Sequence, residues 1–216
     1  MSDDNQMKPS PNSAVTKNEQ ESFVADAAGG DYKAVKAFLQ AHKDAADKIN
    51  EEGWSALRYA ARYGQRLVVE TLLDHNAAAD TPDRDRMSAL LYAARGGYTD
   101  VAKLLMEKGA DINRKNKAGW NALMLAVKND HKDMVELLLK KSVLLDEQNE
   151  DGSTALMLSA WNKHEVIGEL LVKAGASLDK KDNTGMTALA LAKVSDDPKL
   201  AKLLEQAAEK QKQTKS

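Results

Sequence analysis

The chain has 216 residues, and its 31 basic and 33 acidic side chains give a formal net charge of −2, so no global field draws it to nucleic acid or to an anionic membrane. No apolar run approaches the roughly 18 residues of a membrane span, and the absence of cysteine excludes disulfides and thiol catalysis. A content of 43% hydrophobic but only 5% aromatic residues favours helices packed through alanine and leucine over a sheet core.

The N-terminal residues 1–20 are predicted to be a disordered tail. They are rich in Asp, Asn, Ser, Pro and Lys and have almost no apolar side chains, so they have little to bury in a core. They also show neither a basic start nor an apolar segment, so no signal peptide is visible. We therefore expect a cytoplasmic protein; an exported or periplasmic location is the alternative if an original leader is missing from this chain.

From residue 21 onward, one 33-residue period organises the chain. Its markers are triplets with a polar first residue followed by Ala and Leu, spaced without insertion or deletion: Ser55-Ala56-Leu57, Ser88-Ala89-Leu90, Asn121-Ala122-Leu123, Thr154-Ala155-Leu156 and Thr187-Ala188-Leu189. A glycine precedes four of these by two residues, and Arg86 is the exception. A fixed spacing of this size indicates stacked copies of one supersecondary unit, and such arrays present extended binding surfaces.

Each unit is predicted to contain two short antiparallel helices and an extended turn. The Ser, Asn or Thr at the head of each triplet has a side-chain oxygen that can cap a helix start. After a polar break such as 96–98, apolar residues at three-and-four spacing predict a second helix. Gly109 and Gly175 suit the left-handed residue that ends this helix. The polar segment 111–119 then forms the turn.

These features resemble the ankyrin-repeat family, most closely in segments 83–113 and 151–176. The resemblance implies an all-α, ankyrin-repeat solenoid of six helix-turn-helix repeats with short extended finger loops, of the small bacterial type. The array is expected over 21–206, with repeats near 21–49, 50–82, 83–115, 116–148, 149–181 and 182–206, and a frayed basic tail over 207–216.

One departure from the family pattern recurs. The family's Thr-Pro-Leu-His is replaced by Ser/Thr/Asn-Ala-Leu followed by Arg58, Leu91, Met124, Met157 or Ala190. Alanine has the best helix propensity, so the loss of proline leaves the fold assignment intact. The missing histidine ties neighbouring turns together in the family, and its loss predicts looser turns here.

The terminal repeats are atypical and are interpreted as caps. Counting back one period from Ser55 places the head of the first repeat at Ser22, and polar Lys36 and Gln40 replace apolar positions there. In the last repeat, Asp197 is a candidate cap and Pro198 is preset for the first helical turn. Polar outer helices of this kind are expected where one side of a terminal repeat faces water.

No catalytic motif is recognisable in the sequence. There is no Gly-x-Ser-x-Gly elbow, no Gly-x-x-x-x-Gly-Lys phosphate loop and no Gly-x-Gly-x-x-Gly after a strand. His131 and His164 occupy equivalent positions in adjacent repeats, but no Cys, Asp or Glu recurs in phase to complete a metal site. We expect structural roles for both histidines, and a protein that is not an enzyme and has no cofactor.

The candidate binding residues form two columns at the 33-residue period. The column before the helix caps is large and apolar at four of five positions, where a solvated turn favours polar residues: Trp54, Met87, Trp120, Ser153 and Met186. The column seven residues after each cap is Arg62, Arg95, Lys128, Trp161 and Val194, with Tyr63 beside it. The resemblance places these tryptophans on the concave face, and Trp, Tyr, Met and Arg are enriched in binding hot spots. The alternative is that the tryptophans cover local gaps as additional core.

The sequence therefore predicts a non-enzymatic module that captures a partner protein on its concave face. We expect a monomer that acts on one partner as an inhibitor, regulator or immunity-type protein. If that partner is an enzyme, binding would block its active site. Arg62, Arg95 and Lys128 would steer and pair with acidic groups of that partner. The alternatives are an adaptor and a host-directed secreted effector that tethers a target protein. No nucleic-acid or membrane partner is expected.

Overall fold

Helices dominate the part of the chain that the structure describes. The computed structural model describes residues 15–141 and 143–213. Their helices are α1 (Lys17–Gly29), α2 (Tyr32–Ala41), α3 (Ala56–Arg62), α4 (Arg66–Asp74), α5 (Ala89–Gly96), α6 (Thr99–Glu107), α7 (Ala122–Lys128), α8 (Lys132–Leu139), α9 (Ala155–Trp161), α10 (Glu165–Lys173), α11 (Ala188–Val194) and α12 (Pro198–Gln213). Within these residues there is no strand, only an isolated bridge between Ile49 and Ser55. The predicted all-α class is confirmed.

The helices form consecutive pairs that stack in two layers. Each odd-numbered helix packs against the helix that follows it in the chain. Along the stack, odd-numbered helices pack on one another and even-numbered helices do the same. The contacts within the odd-numbered layer are the more extensive. The array is therefore a solenoid whose odd-numbered helices line the concave side.

Small residues allow the odd-numbered helices to approach closely. Ala60, Ala93 and Ala126 are fully buried at equivalent positions of α3, α5 and α7. Leu90 and Leu123, next to the helix starts, are also buried. Helices of seven or eight residues are too short to be stable alone. Their stability must therefore come from burial between neighbours.

Side-chain caps begin these helices where the sequence predicts them. The head residues each accept a hydrogen bond from the backbone amide three positions later: Ser55, Ser88, Asn121, Thr154 and Thr187. Each cap satisfies one of the backbone donors that a helix start leaves free. The predicted phase of the repeat is therefore present in the structure.

The structure differs from the prediction at both ends of the array. Helix α1 begins after Thr16, whose side chain forms a capping box with Glu19, so the first helix does not start at Ser22. Gln20 is buried and donates to the Lys48 carbonyl at 3.0 Å. Residues 17–20 thus belong to the array, and 1–14 lie outside the described residues. At the other end, α12 continues through 207–213 because Ala207 and Ala208 pack against the core; residues 214–216 are not described.

A first prediction tests the buried leucine column. Leu123→Ala should lower the free energy of unfolding by about 2–5 kcal/mol, because Leu123 is fully buried and the substitution leaves a cavity. Urea denaturation measures the change. Lys103→Ala serves as the control, since Lys103 is exposed on α6 and should change stability by less than about 0.5 kcal/mol. Equal losses in both variants would contradict the packing described here.

A second prediction concerns Arg86, which has the left-handed backbone that glycine adopts at the equivalent positions (φ 61°). A non-glycine residue in this conformation costs about 1–2 kcal/mol of backbone strain. Replacing it with glycine removes that cost, but glycine loses more conformational entropy on folding, which offsets about 0.5–1 kcal/mol of the gain. Arg86→Gly should therefore raise the free energy of unfolding by about 0.5–1 kcal/mol in urea titrations.

Gly119→Ala is the matched opposite of this substitution. Gly119 has φ 78°, and an added Cβ would lie 2.9 Å from the Asn149 Cα. This variant should lose stability. A loss in Arg86→Gly as well would show that the Arg86 side chain makes contacts that outweigh its backbone strain.

Candidate binding face

A repeated side-chain hydrogen bond holds the first candidate column in place. In each finger turn an Asn or Asp side chain accepts from the amide four residues later, at 2.8–2.9 Å. The acceptors are Asn50, Asp83, Asn116, Asn149 and Asp182, and the donors are the amides of Trp54, Met87, Trp120, Ser153 and Met186. The backbone of every candidate in this column is therefore fixed by a local turn, just before the cap of an odd-numbered helix.

Four aromatic rings form a continuous cluster around Trp54. The Trp54 ring stacks on Tyr59 with 4.4 Å between centroids and lies 5.1 Å from the Tyr92 ring. Tyr63 extends the stack from Tyr59 at 6.0 Å. Trp54 is consequently only partly exposed and packs against the core. The alternative interpretation, in which the tryptophans extend the core, therefore applies in part to Trp54.

Two cations of the second column lie over aromatic rings. The Arg62 guanidinium carbon is 5.3 Å from the Trp54 ring centroid and 5.8 Å from those of Tyr63 and Tyr92. The Lys128 ammonium is 4.7 Å from the Trp120 ring centroid. Such contacts are worth about 0.5–1 kcal/mol at exposed sites. They orient the two cations without neutralising their charge.

The remaining candidates differ in exposure. Trp161 and Val194 are 55% and 61% exposed at the ends of α9 and α11. Trp120 and Met186 are partly buried against the core. Met87 is only 7% exposed, and the Asn116 side chain contacts its sulfur at 3.5 Å. The prediction that Met87 contributes contact surface is wrong, because Met87 packs inside the array.

Arg58 is a structural residue that the sequence interpretation missed. It is 2% exposed, and its guanidinium donates to the backbone carbonyls of Gly53 and Thr81, the latter at 3.4 Å. Burial lowers the pKa of Arg58, and the charge of nearby Asp83 opposes that shift. The prediction of looser turns is therefore wrong at this repeat, since Arg58 ties two successive finger turns together. The sequence signal for this role was that Arg58 is the single charged residue in a repeat column that otherwise contains Leu91, Met124, Met157 and Ala190.

A hydrogen bond next to Arg58 fixes the edge of the aromatic cluster. The Tyr92 hydroxyl donates to the Asp83 carboxylate at 2.7 Å. Burial, together with this hydrogen bond, raises the pKa of Tyr92 well above its ordinary value. Tyr92 is therefore neutral over the physiological range and remains a donor. Asp83 in turn also holds the Met87 amide, so one carboxylate joins the turn to the cluster.

Further ties connect neighbouring finger turns along the array. Asp47, Asn113 and Asp146 each accept from a backbone amide 31 residues later, at 2.7–2.8 Å. At the intervening position, Asp80 instead pairs with Arg114 in a partly buried ion pair. Because each tie joins adjacent repeats, the turns that precede the concave face form a connected scaffold.

The histidines make structural contacts. His131 Nε2 is 3.0 Å from the Arg95 carbonyl, and His164 Nδ1 is 3.4 Å from the Asp130 carboxylate. Over residues 15–141 and 143–213, no three His, Cys, Asp or Glu side chains are grouped so as to hold a metal ion. No helix in that part of the chain has both the length and the apolar character needed to cross a membrane.

The comparison with protein families agrees with this architecture. The family model for ankyrin repeats, which contains three copies of the repeat, matches residues 23–116 and again residues 123–214. The chain belongs to the ankyrin-repeat family. Ankyrin repeats are protein-interaction modules and are typically not enzymes. No curated protein matches this chain significantly.

The buried arginine of this ankyrin array provides a third prediction. Arg58→Ala should lower the free energy of unfolding by about 2–4 kcal/mol, because it removes a packed side chain and leaves two carbonyls without their donor. Arg58→Met should recover about half of that loss, since methionine fills the volume as it does in the equivalent Met124. Urea denaturation measures both variants.

Arg66→Ala is the control for this pair, because Arg66 is exposed on α4 and forms only an ion pair with Glu70 at 3.6 Å. It should change the free energy of unfolding by less than about 0.5 kcal/mol. An Arg58→Ala variant as stable as Arg66→Ala would contradict the role assigned to Arg58.

Proposed function

We propose that this ankyrin-repeat protein captures one partner protein on its concave face and thereby blocks or regulates it, as an inhibitor or immunity-type protein. The observation that carries the proposal is the exposure of Trp161 and Val194, 55% and 61%, at equivalent ends of successive concave-side helices. Large apolar side chains kept in water on rigid helix ends lower their free energy when a partner covers them.

The organisation of the rest of the face supports high affinity. The Trp54 cluster is already packed, with Tyr59 and Tyr92 against the indole and Arg62 over it. Side chains that are ordered before binding lose less conformational entropy when the partner arrives. The finger-turn hydrogen bonds add to this, because they fix the backbone next to the cluster.

The opposite layer supports a single-partner regulator over an adaptor. Exposed Leu67 and Val166 occupy equivalent positions of α4 and α10, but Asp100 and Asp133 stand between them in that column. Isolated apolar side chains separated by charges do not form the contiguous patch that marks an interface. The concave face is thus the better candidate surface, and one such surface suits one partner.

A fourth prediction tests the face with substitutions that leave the core intact. Trp161→Ala should weaken binding of the captured partner by about 2–4 kcal/mol, because an exposed tryptophan that becomes buried is a typical hot spot. Arg95→Glu should mainly slow association and alter its salt dependence. The partner is first isolated by affinity capture with the wild-type protein, and the rates are then measured by surface plasmon resonance.

Lys103→Ala and Glu136→Ala on the even-numbered helices are the controls and should leave affinity unchanged. Unchanged affinity in Trp161→Ala combined with a loss in Glu136→Ala would place the binding site on the other layer. The activity of the partner then separates the regulatory roles. Inhibition in a one-to-one complex supports the blocker, whereas an active partner in a ternary complex would indicate an adaptor.

A further inference from the structure

The second candidate column changes its chemistry along the array, and this change points to the kind of partner. Arg62, Arg95, Lys128, Trp161 and Val194 lie at or next to the ends of α3, α5, α7, α9 and α11; we call them the concave row. Its first three members are cations and its last two are exposed apolar side chains. The inference below rests on the proposed function and concerns the same face.

The cations of the concave row lack the carboxylate partners that several cations of the even-numbered helices have. On the even-numbered helices, Arg66 pairs with Glu70 and Lys132 with Glu136 at 3.3–3.6 Å. In the described part of the chain, no carboxylate forms an ion pair with the three cations of the row. The row is thus a local positive field on a protein whose formal net charge is −2.

Helix dipoles alone do not explain this pattern. A cation at a helix C-terminus is stabilised by the partial negative charge there. That stabilisation is available at all five helix ends. Yet α9 ends in Trp161 and has no basic residue in its last turn, and in α11 the cation Lys193 pairs with Glu205 while Val194 occupies the row position. The dipole therefore does not determine which side chain stands in the row.

Carboxylates mark one limit of the positive field. Beyond Arg62, a groove of about 480 Å³ is lined by Tyr59 and Tyr63 together with Glu21 and Glu52. Its acidic side chains would repel an acidic ligand. A second carboxylate, Asp130, lies two residues after Lys128 and 3.4 Å from His164 Nδ1, but the row has three cations against this one carboxylate. An acidic ligand is therefore favoured from Arg62 toward Val194 and disfavoured on the groove side.

We infer that the concave row binds an extended acidic segment of the partner protein, with carboxylates at the three cations and an aliphatic or aromatic side chain between Trp161 and Val194. Charge complementarity supplies the register, and the apolar end supplies the anchor. A nucleic acid fits less well, because its phosphates would continue past Lys128 over positions that carry no cation.

The spacing of the row specifies a probe. Packed helices lie about 8–10 Å apart. An extended chain in the polyproline II conformation has three residues per turn and advances about 3.1 Å per residue, so every third side chain lies on one face, about 9 Å from the next. Carboxylates at every third residue therefore match successive cations. The probe is a fluorescein-labelled synthetic peptide, Glu-Ser-Ser-Glu-Ser-Ser-Glu-Ser-Ser-Leu, and the same sequence reversed, because the row does not fix the chain direction.

The experiment measures fluorescence anisotropy of each peptide with the full chain at low salt, together with the three tryptophan indole signals in nitrogen-15 NMR spectra. One direction should bind and shift the Trp161 indole signal. Arg95→Glu should weaken that binding by about tenfold or more. Lys103→Glu changes the net charge by the same amount as Arg95→Glu but lies on the other layer, so it should change the affinity for the peptide by less than about twofold. Leu→Ser in the peptide should remove the Trp161 shift.

Four results would overturn the inference. A peptide with Lys in place of Glu that binds equally, equal effects of Arg95→Glu and Lys103→Glu, or tighter binding of a ten-nucleotide oligothymidine probe would each do so. Absence of binding by both acidic peptides up to about 1 mM also rejects it. If Trp161→Ala still weakens capture of the partner protein in that case, the inference fails and the proposed function stands.

Discussion

Close packing of alanine-lined helices is the constraint on which this protein depends. Ala60, Ala93 and Ala126 are fully buried where one concave-side helix meets the next, and no helix there is long enough to persist alone. Stability is therefore a sum of intrinsic terms and nearest-neighbour interfaces, as in other solenoids. The same packing sets the distance between equivalent residues, so it also sets the geometry of the concave row.

Structural and candidate binding tasks fall on different side chains within each repeat. Asn and Asp side chains organise the finger turns, Ser and Thr hydroxyls cap the helices, and the even-numbered helices neutralise many of their charges locally. Apart from the weak dipole term and the contacts of Arg62 and Lys128 with aromatic rings, the side chains of the concave row carry none of these structural tasks. Arg95 and Trp161 can thus differ completely in chemistry while their helices remain equivalent.

Local chemistry made much of this fold predictable from the sequence. The structure differs from the prediction where contacts with adjacent repeats determine the burial of a side chain or the length of a helix. The helix caps follow from one side chain and an amide three residues away, so the period was sufficient to find them. Met87 and Met186 share a column, yet Met87 is buried whereas Met186 is only partly covered, a difference that depends on what each adjacent repeat supplies. The start of α1 directly after its cap Thr16 lies outside the period because a terminal helix has no repeat before it to limit its length.

The concave row also has an evolutionary consequence. Each of its members stands at the last turn of its helix, beyond the buried alanines, so exchanging one residue would alter the proposed recognition at little expense in stability. Mutations in different repeats are far enough apart to act nearly independently. A lineage under pressure to follow a changing partner can therefore rewrite specificity one repeat at a time. The buried side chains beneath have no such freedom, because they are packed against neighbouring helices.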